Sequence, residues 1–231
     1  MSTALLELDA VDAGYGPFRA LFGVSLAIEP GGVVALLGAN GAGKTTVARV
    51  ASGLVAPTAG AVRFDGVDLT GRHTYEFARA GIVHAVEGRS VFASLTVQEN
   101  LTMALERGRD RRALEAAHEE AYDLFPRLGE RRRQVAGTLS GGEQRMLALA
   151  RVMVERPRLL VADELSLGLA PIIVEEVYAT LATIRDAGTT LLIVEQHIGH
   201  ALALADTATI LEKGVVTYAG PAAEARAHIG I

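Results

Sequence analysis

Hydrophobic and polar positions alternate through the first part of the chain. Leu6, Leu8 and Ala10 face one way with Glu7 and Asp9 between them, and Val24, Leu26 and Ile28 repeat the pattern up to Pro30-Gly31-Gly32. A period of two predicts half-exposed strands. Val62 and Phe64 flank Arg63 and run into Asp65-Gly66, a dipeptide that tolerates the positive φ of a tight hairpin turn. Three further runs are solidly apolar: "VVALL" at 33–37, "LLVA" at 159–162 and "LLIV" at 191–194. Strands covered on both faces of a parallel sheet read this way, so the expected core is α/β. Between about 94 and 155 the period becomes helical. Thr96 and Glu99 form a capping box, and Leu114, Ala117, Ala121, Leu124 and Phe125 make an apolar stripe. The expected organisation is therefore one domain over 1–231, with an α/β core and β subdomain in 1–90 and 156–231 and a helical subdomain in 91–155. No internal repeat or low-complexity tract is visible.

Composition narrows the function classes. The chain has 231 residues, half of them hydrophobic, and a formal net charge of −5. An acidic chain lacks the broad basic surface from which a nucleic-acid binder draws its affinity, so no nucleic-acid partner is expected. The Arg131-Arg132-Arg133 run reads as a solvated face. There is no cysteine, which excludes disulfides, thiolate metal sites and a cysteine nucleophile. That suits a reducing compartment, and the cytoplasm is the expected location. The N-terminus lacks a basic start followed by a long apolar core. No stretch reaches the roughly 18 to 20 apolar residues of a membrane span.

Chemistry enters at "GANGAGKTT". Gly38, Gly43, Lys44 and Thr45 match G-x-x-x-x-G-K-[ST] between a buried run and a helical segment. Glycines let the backbone of Gly38, Ala39, Asn40, Gly41, Ala42 and Gly43 fold close around phosphates. The N–H groups that follow, through Thr45 and Thr46, point at the anion, Lys44 adds a cation, and the Thr45 hydroxyl can ligate magnesium. A nucleotide and Mg2+ are the expected cofactors. Downstream, the apolar strand 159–162 delivers Asp163 and Glu164 to its carboxyl end, where ligands of parallel sheets bind. Asp163 is the expected second metal residue, through water. Glu164 is placed to orient and polarise an attacking water. A helix cap is the plainer explanation of such an acidic pair, and the phosphate loop upstream argues against it. A third motif, "LSGGEQ", has a capping box in Ser140 and Glu143 that leaves Gly141 and Gly142 unexplained. Consecutive glycines at a helix start expose N–H groups to an anion, which makes a second phosphate-binding terminus.

At this point the sequence resembles the ATP-binding subunits of ABC transporters over essentially its whole length: Tyr15 ahead of the phosphate loop, "GANGAGKTT", "LSGGEQ", "LLVADE" and the strand into "VEQH". Within that family, "VEGRSVFASLTVQENL", "LFPRLGERR" and "SLGLAP" are similar to the LivF-type subunit of branched-chain amino-acid importers. The resemblance makes the nucleotide ATP and implies a RecA-like, mostly parallel core with an antiparallel β subdomain and a helical subdomain. It implies two cassettes meeting head to tail, identical or related, with Ser140, Gly141 and Gly142 of one on the γ-phosphate held by the other. It also implies integral-membrane permease subunits that carry the solute and, indirectly, an extracytoplasmic solute-binding protein, with this chain peripheral to the inner face of the membrane. Tyr15 would stack on adenine; a turn tyrosine between Gly14 and Gly16 is the alternative. The loop around Glu87, Arg89 and Phe92 would receive a short helix of a membrane subunit.

Three positions depart from the broader family pattern. Glu87 stands where most cassettes have a glutamine, and an ionised carboxylate cannot donate to the γ-phosphate, so it is a catalytic or only a groove residue. Asp163-Glu164 is followed by Leu165 in place of proline, and "SLGL" lacks the aspartate of the common "SALD". The switch strand ends in Gln196 and His197, which cannot both face the γ-phosphate while the chain stays extended. Register selects Gln196, with His197 as the alternative. The competing function is a non-transport ABC ATPase working on ribosomes or DNA. Such chains usually carry two cassettes or a long coiled-coil insertion, and this one has a single phosphate loop. A P-loop kinase would leave "LSGGEQ" without a purpose.

Overall fold

The computed structural model describes residues 4–86, 91–105, 111–196 and 198–228. In chain order, β1 (Leu6–Tyr15), β2 (Phe18–Ile28) and β3 (Val33–Leu37) precede α1 (Lys44–Ala51). Then come β4 (Ala59–Phe64), β5 (Val67–Asp68), α2 (Thr74–Ala80) and β6 (Ile82–Val86). A helical stretch follows: α3 (Val97–Leu105), α4 (Arg111–Leu124), α5 (Pro126–Glu130), a 3-10 turn at Ala136–Thr138, and α6 (Gly141–Glu155). The chain closes with β7 (Leu159–Asp163), α7 (Pro171–Asp186), β8 (Thr190–Val194), α8 (Ile198–Leu204), β9 (Thr207–Glu212), β10 (Val215–Pro221) and α9 (Ala225–His228). It forms two compact units, one of residues 1–84, 158–164 and 185–231 and the other of 85–157 and 165–184.

The first unit is built on two sheets. One has the order β2-β1-β4-β5; the other has the order β10-β9-β3-β8-β7-β6. Strand β3 pairs in parallel with β8 and β9, and β7 pairs in parallel with β8, so the three solidly apolar runs lie together at the sheet centre, every residue of β3, β7 and β8 buried. Because successive side chains of a strand point to opposite faces, Val34, Leu36, Leu159, Val161, Leu192 and Val194 share one face. That face joins Val47, Ala48, Val50 and Ala51 of α1 and the inward residues of β1, β2 and β4 in a single core. Helix α1 is thereby held on the sheet by the same side chains that fix the strand ends.

The antiparallel sheet departs from simple alternation along β1 and β2, first at Asp9 and Ala10. Leu6 and Leu8 are buried, as expected, but Ala10 is exposed and Val11 takes the next inward position. The register runs Leu8↔Leu26 and then Val11↔Val24, so Asp9 and Ala10 face only Ser25. Ala10 has φ 46, and its N–H donates to the Ser25 hydroxyl at 3.0 Å. This is a β-bulge, which inserts one residue and reverses the phase of everything after it. Val24, Leu26 and Ile28 on the partner strand keep their common inward face. The Asp65-Gly66 turn forms as its sequence predicts: both residues have positive φ, and Phe64 pairs with Val67.

In the second unit the Thr96 capping box is present, with Glu99 N–H donating to the Thr96 hydroxyl at 3.2 Å and Thr96 N–H donating to Glu99 Oε2 at 2.8 Å. On α4, Ala117 and Ala121 are buried, whereas Leu114 is half-buried and Leu124 is 43% exposed. The predicted stripe therefore drifts off the buried face at the end of α4. The helix stops at Leu124, and Phe125 turns inward from a non-helical backbone (φ −127, ψ 72) as the N-cap of α5. Arg131, Arg132 and Arg133 are exposed, as a solvated face requires. Among the described residues no helix is long and apolar enough to cross a membrane.

Candidate functional site

The first unit carries a phosphate loop at the carboxyl end of β3. Gly38 has φ 151, and a Cβ there would lie 2.3 Å from the Leu211 carbonyl oxygen. Gly43 has φ 106, and its Cβ would lie 2.9 Å from a Leu21 methyl. Both positions combine a backbone that L side chains rarely adopt with a close approach, which is why glycine stands at each. Ala39, Asn40 and Gly41 are exposed at the loop tip, Ala42 and Thr46 are buried, and Thr45 is half-buried. Gly43 is the N-cap of α1 and offers no side-chain cap to the first turn, whose N–H groups and dipole therefore suit an anion.

Lys44 is 3% exposed. Its Nζ donates to the Gly38 carbonyl at 2.8 Å and to the Ala39 carbonyl at 3.2 Å, closing the loop on itself. The same Nζ lies 3.9 Å from Glu164 Oε1. Glu164 leaves the end of β7 with φ 52, a left-handed backbone that costs a non-glycine residue of order 1 to 3 kcal/mol. Its N–H donates to the Val194 carbonyl at 2.9 Å, which fixes that turn against β8. Gln196, just past β8, donates through Nε2 to Glu164 Oε1 at 2.9 Å. Lysine, glutamate and glutamine thus converge from the start of α1 and the ends of β7 and β8, and the glutamate oxygen is the shared point.

Asp163 is buried, and its Oδ1 is a buried acceptor with no hydrogen-bond partner. Its Oδ2 lies 3.5 Å from His84 Nε2 on β6. Nδ1 of the same ring is 2.9 Å from the hydroxyl of Ser52, the C-cap of α1. Neither His84 nor Ser52 was singled out by the sequence, where the only signal is a polar residue interrupting the apolar run Ile82–Val86. Among the described residues there is no cluster of three or more His, Cys, Asp or Glu that could cage a metal. The orphaned carboxylate oxygen of Asp163 fits a hard cation such as magnesium, which takes few protein ligands and fills its shell from phosphate oxygens and water.

Tyr15 ends β1 and is 43% exposed. Its hydroxyl accepts from Arg49 at 3.0 Å, with the guanidinium carbon 5.8 Å from the ring centroid. The ring is thus partly exposed beside the Arg49 cation. Glu87, Arg89 and His197 lie outside the described residues; Phe92 is described, and its ring is exposed with the Arg151 guanidinium carbon 4.9 Å from its centroid.

The second unit holds the "LSGGEQ" segment. Ser140 is the N-cap of α6: its hydroxyl accepts from Glu143 N–H at 3.3 Å, and its own N–H donates to Glu143 Oε2 at 2.9 Å. That backbone donor, first of all, holds the Glu143 carboxyl below the usual carboxylate range, and Arg131 adds an ion pair at 3.1 Å. A Cβ on Gly141 would meet nothing within 4 Å, so the helix start is open there, while one on Gly142 would lie 3.3 Å from Ile173. Ser140, Gly141 and Gly142 line a cleft of about 900 Å³ together with Met146, Met153 and Ile173.

A mostly parallel sheet with a glycine-rich phosphate loop, its lysine facing an acidic strand end, defines a P-loop nucleotide-binding protein of the α/β class. Comparison with known proteins narrows this. The family model described as ABC transporter matches residues 21–166. The chain is 42% identical over 212 residues to the high-affinity branched-chain amino acid transport ATP-binding protein BraG of Pseudomonas aeruginosa, covering 91% of this chain and 90% of that one. It is 34% identical to the probable branched-chain amino acid transport ATP-binding protein LivF of Archaeoglobus fulgidus, covering 97% and 95%. Among solved structures, a nucleotide-free ATP-binding cassette from an ABC transporter superposes with a TM-score of 0.87 over 99% of this chain and 96% of that one, at 24% identity. The chain belongs to the ABC transporter family of ATP-binding proteins, whose members bind nucleotide and hydrolyse ATP to power transport.

Proposed function

We propose that this chain is the ATP-hydrolysing subunit of an importer for branched-chain or other hydrophobic amino acids, working through separate integral-membrane permease subunits. The convergence of Lys44 and Gln196 on Glu164 carries the hydrolytic half of this reading. The branched-chain transport systems named for the relatives support the import half. They also favour transport over a switch acting on ribosomes or DNA.

The roles follow from chemistry. Gly38, Ala39, Asn40, Gly41, Ala42 and Gly43 wrap the phosphates, and the first-turn N–H groups of Lys44, Thr45 and Thr46 meet their charge. Two neutral carbonyls now hold the Lys44 ammonium, and a triphosphate is a stronger acceptor for the same donor. Tyr15 stacks on adenine. Thr45, and Asp163 through water, would hold magnesium, which would supply charge neutralisation at the phosphates. Glu164 orients and accepts the proton of the attacking water, and Gln196 holds the carboxylate in place or turns its amide to the γ-phosphate. His197 is the alternative for the second of these tasks, and Glu87 serves as a catalytic or a groove residue. Ser140, Gly141 and Gly142 reach the γ-phosphate bound by a second cassette. An extracytoplasmic binding protein delivers the solute. The chain acts as a single ATP-binding domain over 1–231, peripheral to the inner face of the membrane.

The test is reconstitution of the chain with the membrane proteins encoded beside it in liposomes. ATPase stimulation by a solute-loaded binding protein, with uptake of leucine, isoleucine or valine, is the expected result. Stimulation by ribosomes or DNA and none by the membrane proteins would overturn the reading.

A further inference from the structure

Two buried polar groups in the first unit face each other without completing a hydrogen bond. His84 and Asp163 have side chains that are each 7% exposed. His84 Nε2 and Asp163 Oδ1 both lack a hydrogen-bond partner, and Nε2 stands 3.5 Å from Oδ2. A buried donor or acceptor left bare costs more than most contacts contribute, so the proton arrangement around this ring has consequences.

Ser52 decides that arrangement. Its hydroxyl lies 2.9 Å from the Ala48 carbonyl, 3.3 Å from the Arg49 carbonyl and 2.9 Å from His84 Nδ1. A hydroxyl has one hydrogen to give. If it goes to Ala48, Nδ1 must carry the ring hydrogen, and a neutral ring then turns a bare lone pair toward the Asp163 carboxylate. If it goes to Nδ1, the ring hydrogen sits on Nε2 and faces Asp163 Oδ2. The second choice strands nothing, because the Ala48 carbonyl still accepts the Ser52 backbone N–H at 3.1 Å. It also gives a buried carboxylate a donor.

We infer that His84 is a positioning residue for Asp163: Ser52 donates to Nδ1, Nε2–H faces Oδ2, and the carboxylate is held with Oδ1 turned to the metal shell. This rests on the assignment of Asp163 to magnesium. Outer partners of this kind orient the groups that hold a metal or its waters, and removing one typically weakens metal binding about 10-fold or more.

The experiment measures Mn2+ binding by electron paramagnetic resonance to the full chain with a non-hydrolysable ATP analogue, beside analogue binding in EDTA. His84→Leu is expected to weaken Mn2+ about tenfold while leaving metal-free nucleotide affinity unchanged. His84→Gln places an amide N–H where Nε2 stood and should stay close to wild type. His84→Asn places it where Nδ1 stood, leaves Oδ2 bare and should behave as the leucine variant does. If the leucine variant fails to fold, the glutamine and asparagine pair decides the matter. Equal Mn2+ affinity in glutamine and asparagine variants, or in leucine variant and wild type, overturns the inference. Asp163→Asn separates the two levels. If it leaves Mn2+ binding unchanged, the magnesium assignment itself has failed; if it weakens binding and His84→Leu does not, only the role of His84 is lost.

Discussion

The Gln196 side-chain amide donates to Glu164 Oε1 at 2.9 Å, joining the second residue after β8 to the first after β7. Register along the strand selects Gln196 as a γ-phosphate contact, whereas in the structure its amide donates to the carboxylate proposed as the base. A hydrogen bond to a charged group contributes about 1.5 to 3 kcal/mol, so Gln196→Ala is expected to slow hydrolysis roughly 10- to 100-fold. Gln196→Glu would set a second carboxylate against the first and should slow it further. The check is steady-state ATPase rate of both variants with membrane partners present; a wild-type rate for Gln196→Ala would free Glu164 from this partner.

Glu164→Gln should keep nucleotide binding and lose turnover by about 10² to 10⁴, since the amide preserves shape but cannot accept the water's proton. Equilibrium titration with ATP and single-turnover hydrolysis separate the two. The same variant should accumulate an ATP-bound dimer, read by light scattering on the chain alone and on the chain mixed with a related cassette.

What was legible in the sequence is what local order determines. The phosphate loop lies between its strand and helix because every residue it needs is contiguous, from Gly38 to Thr45. Solid apolar runs mark β3, β7 and β8 because those strands are covered on both faces. The bulge at Asp9 and Ala10 was not legible, since it depends on Ser25 across the sheet accepting the extra N–H. Leu124 reads as core by spacing, but the helix ends there and Phe125 takes the inward place. His84 is the clearest case: nothing near it in the chain shows that Ser52 and Asp163 will flank its ring, because both meet it only through the stacking of α1 and β7 beside β6.

Removing the Lys44 ammonium leaves the triphosphate charge to backbone dipoles. Lys44→Ala is expected to weaken magnesium-ATP binding at least tenfold, more than a helix dipole of about 0.3 to 1 kcal/mol could make good. Calorimetric titration reads it directly. Tight binding by that variant would remove the phosphate loop from the site.

Ser140→Ala deletes the acceptor for Glu143 N–H at the start of α6. The cap contributes about 1 kcal/mol, so thermal unfolding should shift down by a few degrees even without nucleotide. Ser140→Asn, which can still cap, should restore the midpoint. If it restores stability but not ATPase activity, the hydroxyl has a role at the phosphate beyond capping; recovery of both would confine Ser140 to structure.

His118 on α4 is 8% exposed, with Nε2 3.2 Å from the Thr102 hydroxyl on α3. Burial pushes its pKa below the ordinary histidine value, and Glu119 and Glu115 only partly oppose this. The sign follows from proton counting. In the unfolded chain the ring takes up a proton near pH 6.5, while in the folded chain it resists until a lower pH. Across that window the unfolded state binds more protons, so stability is fully present above about pH 6.5 and declines as pH falls toward the folded value, by at most about 1.4 kcal/mol per pH unit. The Thr102 hydroxyl already donates to the Gln98 carbonyl at 2.9 Å, so the ring N–H is the donor in the Thr102 pair. His118→Gln keeps an N–H at that reach without a titrating group. Its unfolding midpoint should match wild type near pH 8 and fall less steeply between pH 6.5 and 5. Parallel midpoint curves for the two proteins over that range would show that His118 takes up its proton as readily in the folded chain as in the unfolded one.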